Sequence, residues 1–271
     1  MALEGHLELE AVAGPDGRSS LGRQSFSAPF HVGKGYWDET VLRVQVVNPT
    51  AGMLEGDRMR VAVIVRAGAA LGVGTPAASR SFRMRGEGRA VLVQRLEVAC
   101  GGWLEFAPEP LYLHEGTDFE QRTEIRLETG AELFHVDSIA PGRAARGELW
   151  RWGRLINVLD VSIGGIPQLR ERAELGGEKA GALARFHGFG EAWLATVLVC
   201  SARPGLEAAL QAAADGLVGA GCACGVTRLS PELQVLRLVA PGGQQLRDAL
   251  AALRAALSPL LPALQGGGRR V

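Results

Sequence analysis

The sequence predicts a mainly β chain of stacked strand-turn-strand units, followed by a small C-terminal α/β part containing two helices. Three observations carry this. Apolar and polar residues alternate with period two through most of residues 2 to 175. Glycine, 37 residues in all, punctuates those runs, and no amphipathic helical pattern is evident before residue 200. Beyond about residue 190, strand-like runs alternate with leucines spaced for one helical face.

Taken in order, strands are expected at 3–10, at VLRVQVV (41–47), at RMRVAVIV (58–65), at RAVLVQRLEV (89–98) and at RLINVLDVSI (154–163). A connecting pattern recurs as AGAAL (67–71), CGGWL (100–104) and TGAEL (129–133), each placing a small-residue turn before a leucine that opens a strand. Leu71, Leu104 and Leu133 are thus 33 and 29 residues apart, a spacing that fits layers stacked on one another. Glycine-alanine turns are also common in a glycine-rich chain, so spacing alone leaves repeat and coincidence both open. We divide the chain at about residue 190, into a stacked β-sheet region (1–190) and a C-terminal part (191–271). That second part reads as strand (192–200), helix (203–217), strands (222–229 and 232–239) and a last helix with Leu246, Leu250, Leu253 and Leu257 on one stripe. It ends in a dispensable QGGGRRV.

Charge and composition narrow the function. The chain of 271 residues balances 29 basic against 29 acidic side chains, so no net positive field recruits nucleic acid or an anionic membrane. Arginine outnumbers lysine 27 to 2 throughout, which fits a genome-wide bias more simply than selection for anion contacts. No leader-like N-terminus and no long apolar span are evident, and four irregularly spaced cysteines suit a reducing compartment, so a cytoplasmic protein is expected. There is no GxxxxGK[ST], HExxH, GxSxG or CxxC. GVGTPA (72–77) imitates a dinucleotide fingerprint, but no amphipathic helix follows it to meet a pyrophosphate. Cys222 and Cys224 at strand spacing are expected to pack rather than to clamp a metal. What remains is a set of acidic residues in turns and strands: Asp57, Asp137, Glu148 and Glu171. Each, taken singly, reads most simply as a turn cap or an ion pair.

Five ordered motifs carry a resemblance: NPTAGMLEGDR (48–58), TPAASRSFRM (75–84), GGWLEFAPEPLYLHEG (101–116), the run from Asp137 to Arg143 with its GE at 147–148, and LRERAEL (169–175). Their order and spacing, over nearly the whole chain, resemble the urease accessory protein UreD (UreH) family. The resemblance implies a helically stacked pair of β-sheets, a two-layer, β-solenoid-like arrangement. It also implies a non-enzymatic role in nickel insertion into urease, in a complex with UreF, UreG and the urease apoprotein. In that complex UreG hydrolyses GTP, the assembly is dimeric through UreF, and no cofactor is held permanently while nickel is in transit.

By position in the motifs, the resemblance marks Asp57, Ser79, Asp137 and Glu171 as residues of a nickel path. It marks Asn48, Pro49, Gly52, Gly56, Gly142, Arg143, Gly147 and Glu148 as structural. No closed metal site is expected: Ni²⁺ accepts oxygen and imidazole ligands, and conduction needs several weak sites rather than a retaining cage. His114, His135 and the cysteines are further possible ligands without motif support. Ala51 and Glu55 replace usual glycines, so an altered turn is expected at Ala51 and an outward, solvated charge at Glu55. Phe82 stands where a tyrosine is common. Two readings compete with this one: a metal-assisted or acid/base hydrolase using Asp57, Asp137 and Glu171, and a structural protein of another complex.

Overall fold

The recurring turns prove to be one geometry used three times. In a computed structural model, which describes residues 2–50 and 52–265, Ala69, Gly102 and Ala131 donate their backbone N–H to Arg66, Ala99 and Glu128. The left-handed residue each turn needs is Gly68, Gly101 or Gly130, with φ of 70°, 69° and 82°. Each turn delivers the following leucine to the same height. Leu42, Leu71, Leu104, Leu133 and Cys200 are therefore directly in register across five neighbouring strands.

The chain first forms β1 (Glu4–Ala13), β2 (Ser19–Phe26), β3 (His31–Val32), β4 (Tyr36–Asp38), β5 (Val41–Val47), β6 (Arg58–Val65), β7 (Ala70–Gly74), β8 (Ser79–Ser81) and β9 (Ala90–Val98). It continues through β10 (Trp103–Ala107), β11 (Leu111–Leu113), β12 (Asp118–Leu127), β13 (Glu132–Ala140), β14 (Arg154–Ile163), β15 (Ile166–Leu175) and helix α1 (Gly177–Phe186). The remainder is β16 (Trp193–Cys200), α2 (Leu206–Gly219), β17 (Ala223–Arg228), β18 (Leu233–Ala240) and α3 (Gly243–Leu257).

From β5 to β14 the chain passes alternately between two sheets, making a β-solenoid of about four turns. One sheet has seven strands in the order β15-β14-β12-β9-β6-β1-β2. The other has eleven, with the path β17-β18-β16-β13-β10-β7-β5-β3. The ladders of the solenoid turns are parallel, as a helical path requires. The edges are added antiparallel, β15 onto β14 through a Gly164-Gly165 hairpin and β16 onto β13.

Facing the leucine row across the interior is a second row, Leu9, Val63, Leu96, Ile125 and Val161, also in register. Both rows belong to one buried core, and every member is at most 4% exposed. The sheets are joined by this apolar seam because no single turn can bury its own inner face.

A second core lies on the other face of the eleven-stranded sheet. There Leu206, Leu210 and Leu217 of α2 and Leu246, Leu253 and Leu257 of α3 cover Phe134, Val136, Val197, Val199, Leu236 and Leu238. Helix α3 is also fixed by charge. Glu105 on β10 binds both Arg254 of α3 and Arg43 of β5, and Arg43 reaches on to the Ala263 carbonyl at 2.6 Å. Gly72 is small for this reason, since a Cβ there would lie 2.5 Å from the Arg43 guanidinium. Packing thus accounts for the first glycine of the fingerprint-like GVGTPA.

Helix α1 corrects the expectation of no helix before residue 200. Its buried face is Gly177, Ala180, Gly181 and Ala184, which fit against Trp150, and a Cβ at Gly181 would come within 2.7 Å of the Trp150 Cβ. A small-residue face leaves no leucine stripe for periodicity to reveal. Among the described residues no helix is long and apolar enough to cross a membrane.

The stacked core makes two outcomes testable. Leu104→Ala should cost about 2–5 kcal/mol, read from the urea midpoint, whereas Val93→Ala on the outer sheet face should change it by less than about 0.5 kcal/mol. Deleting the chain after residue 242 should leave α2 and the sheet uncovered and the protein aggregated, measured as loss of the monodisperse species on size-exclusion chromatography. A soluble truncated protein with an unchanged midpoint would show that α3 is dispensable.

Candidate functional site

Inward positions of β13 run Leu133, His135, Asp137, Ile139, and those of β14 run Val161, Leu159, Asn157, Leu155. The apolar stripe is therefore broken in both sheets, at His135 and Asp137 on β13 and at Asn157 on β14, and Asp137 and Asn157 face one another. The Asn157 amide donates to Asp137 across the gap at 2.8 Å, and its own carbonyl oxygen is buried without a hydrogen-bond partner. Beside this pair, Thr196 and Arg237 continue the Asp137 row on β16 and β18, while Glu171 continues the opposite sheet on β15. Arg237 binds the Glu171 carboxylate and donates to the Thr196 hydroxyl at 3.1 Å.

These side chains line a cleft of ≈ 450 Å³ between the last strands of the two sheets, with Ile139, Leu155, Leu159 and Leu194 among its walls. Two carboxylates against one guanidinium leave it one net negative charge. Further inside, His135 is stacked on Phe106 with ring centroids 5.9 Å apart. Burial, opposed by the Asp137 charge, lowers the His135 pKa to about 4, which keeps the imidazole neutral, and its Nδ1 has no hydrogen-bond partner.

Of the residues expected on a metal path, the structure gathers Asp137 and Glu171 here and places Asp57 and Ser79 elsewhere. Asp57, at the head of β6, is separated from β14 by β9 and β12, roughly 14 Å at the usual strand spacing. It is buried, and both carboxylate oxygens accept backbone N–H groups, from Leu3 and Leu54, each at 2.8 Å. Ser79 is exposed on the short β8, paired with Leu111. The turn ending at Asp57 lies against that strand, because Met53 donates to the Arg80 carbonyl and accepts from Phe82. The Asn48 carboxamide oxygen caps Thr50, with Pro49 between them. Gly52 takes φ 146° where a Cβ would strike the Arg80 carbonyl, and Gly56 takes φ 83°.

Glu55 corrects the expectation of a solvated charge. Its carboxylate accepts from the backbone of Arg85, Gly86 and Gly88 at 2.7–2.9 Å, and these bonds, that from Gly88 foremost, hold its carboxyl below the usual range. Glu55 thereby ties the turn to the loop at 85–88. Ala51 and residues 266–271, which hold the altered-turn expectation and most of the dispensable tail, lie outside the described residues.

The run after Asp137 is a rigid corner. Arg143 makes a two-pronged contact with Glu148, Nε to Oε2 at 2.8 Å, and the Glu148 carboxyl is lowered mainly by that bond. Gly142, at φ 122°, lies so close to the Glu148 carbonyl that a Cβ would overlap it, and Gly147 ends the short turn of helix at φ 69°. Cys222 and the partly buried Cys224 pack into the α2/α3 core, and burial raises both thiols. His114 lies edge-on to Phe82, with ring centroids 4.6 Å apart. Among the described residues no group of three or more His, Cys, Asp or Glu could hold a metal ion. Asp57, Asp137 and Glu171 do not converge on one reacting atom.

Sequence reading overlooked Asn157, Thr196 and Arg237. The signal was present in two of them. Asn157 interrupts Leu155-x-Asn157-x-Leu159, and Arg237 interrupts Val235-x-Arg237-x-Val239, each a polar residue on an otherwise apolar strand face.

The sequence pattern of the family described as UreD urease accessory protein matches residues 3–270. Among curated proteins, the chain is 43% identical to a urease accessory protein UreD of Opitutus terrae over 277 residues, covering 100% of both. It is 31% identical to one of Rhodopseudomonas palustris, covering 93% of this chain and 90% of the relative. A third, from Pseudomonas entomophila, is 28% identical, covering 94% and 88%.

The Glu55 tie has a direct readout. Glu55→Ala should accelerate hydrogen exchange at the amides of Arg85, Gly86 and Gly88 while leaving those of β6 and β9 unchanged. Unaltered exchange in the 85–88 loop would show that the loop does not depend on this carboxylate.

Proposed function

The chain belongs to the UreD urease accessory protein family, and from that premise we propose that it conducts nickel toward urease through the cleft between its two sheets. It is a non-catalytic accessory protein of urease maturation, active in nickel insertion. In the proposed arrangement it works in the cytoplasm, bound to UreF and UreG and docked on the urease apoprotein. UreG hydrolyses the GTP and the whole assembly is dimeric through UreF. The chain's own lack of a phosphate loop fits this division of labour.

The observation that carries the proposal is the pair of carboxylates, Asp137 and Glu171, set with Asn157, Thr196 and Arg237 in an inter-sheet cleft whose remaining walls are mostly apolar. Carboxylate, amide and hydroxyl oxygens are acceptable but weak ligands for Ni²⁺, and separate weak sites allow the ion to leave as well as to arrive. Asp137 and Glu171 are the direct contacts in this reading. Asp57 and Ser79 lie outside the cleft, and in this reading Asp57 serves indirectly, by fixing the 48–57 turn that lies against β8.

The test is co-expression of apo-urease with its accessory proteins and this chain at limiting nickel. Glu171→Ala and Asp137→Ala should leave the accessory complex assembled and lower the nickel bound per urease several-fold, measured by metal analysis of the purified enzyme. Wild-type loading with both variants would remove the cleft from the path.

A further inference from the structure

Arg237 is an unusual occupant for its position. It stands on the inward face of β18 between Val235 and Val239, where neighbouring strands offer Thr196 and Gly225, and its guanidinium crosses to the other sheet to bind Glu171. We propose that Arg237 is a stand-in cation: it holds the Glu171 carboxylate while the cleft is empty of metal, yields it to an arriving divalent ion, and so limits how long that ion is retained. The inference rests on the reading of the cleft as a nickel path and deepens it.

Three features support it. First, a guanidinium has no lone pair and cannot itself ligate a metal, so Arg237 and Ni²⁺ must exclude one another at Glu171. Second, the pair is cheap to open. Its side chains are 48% and 33% exposed, and ion pairs within reach of water are weak. The contrast within the molecule is sharp, because Arg43 and Glu105 are each only 6% exposed in a pair that lacks solvent to replace either partner. Third, Arg237 has a place to go. Its second hydrogen bond, to the Thr196 hydroxyl, can hold the guanidinium on its own sheet once Glu171 is taken. Without the arginine the cleft would present two uncompensated carboxylates, which attract a divalent ion more strongly and release it more slowly.

The experiment uses the full chain in complex with its accessory partners, loaded with Ni²⁺ alone, desalted, and analysed for nickel retained per complex and for nickel then transferred to apo-urease. Arg237→Gln should raise retained nickel several-fold and slow its transfer. Arg237→Lys, which keeps a cation, should stay near wild type. Glu171→Gln should lower retention, and the double variant should match Glu171→Gln alone. Should Arg237→Gln fail to assemble, Arg237→Met keeps the packing of the stem without the charge and is expected to give the same increase. If retention is unchanged without the arginine in an intact complex, while Glu171→Gln lowers it, Arg237 is only a clasp between the sheets and the proposal is overturned. If Glu171→Gln alters neither retention nor transfer, the path reading itself fails, and the stand-in role with it.

Discussion

Two rows of aliphatic side chains, one from each sheet, meet along the inside of the molecule, and the rest of the structure follows from keeping them in register. Leu71, Leu104 and Leu133 are fully buried against Val63, Leu96 and Ile125. Because side chains alternate between the two faces of a strand, one residue of slippage would turn an entire strand inside out. The register is held by the repeated turn with its left-handed glycine. That turn sets the height at which each new strand begins, so its geometry and the core are one constraint.

A solenoid has two ends, and this one closes them differently. On the side of β1 and β2 the seven-stranded sheet ends in an antiparallel hairpin. On the other side both sheets change direction: β15 folds back on β14, and β16, β18 and β17 extend the eleven-stranded sheet. No further solenoid turn covers the inner faces there, and the polar side chains at inward positions lie among apolar walls beside a cleft. The cleft with Asp137, Asn157, Glu171 and Arg237 lies at this end. Its polar ties, Asn157 to Asp137 and Arg237 to Glu171, both run between the sheets, so the groups that line the cleft also span it.

Charge is used in two distinct ways. Arg43, Glu105 and Arg254 form a dry network, and burial, with the repulsion from Arg43, lowers the Arg254 pKa to about 10. Such a network holds α3 on the sheet because Glu105 bridges the two guanidiniums, and removing it would leave two buried like charges facing one another. The pair in the cleft is reached by solvent and has little to lose on separation. The molecule thus combines a rigid frame with an ion pair that water can reach. Neither requires the nucleophile, base or closed metal cage of an enzyme.

The strands at 41–47, 58–65 and 154–163, the three glycine turns and the helix-strand order of the tail were all legible in the sequence. Each depends on local periodicity or on a turn residue with a backbone preference of its own. Asp57 and Asp137 were legible as residues of interest through their motifs, but what surrounds them was not. Helix α1 escaped because its packing face is glycine and alanine shaped to a tryptophan that precedes it by about 30 residues in the chain. Glu55 read as solvent-facing because its partners are backbone N–H groups 30 to 33 residues away, which no side-chain pattern encodes. The separation of Asp57 from Asp137 and Glu171, and the meeting of Glu171 with Arg237 across 66 residues, were decided only when the two sheets closed. The sequence by itself determined which face of each strand is apolar, because that is written every second residue. Tertiary structure alone decided which interruptions of that face stand opposite one another, because the height of a strand in the stack depends on every turn before it.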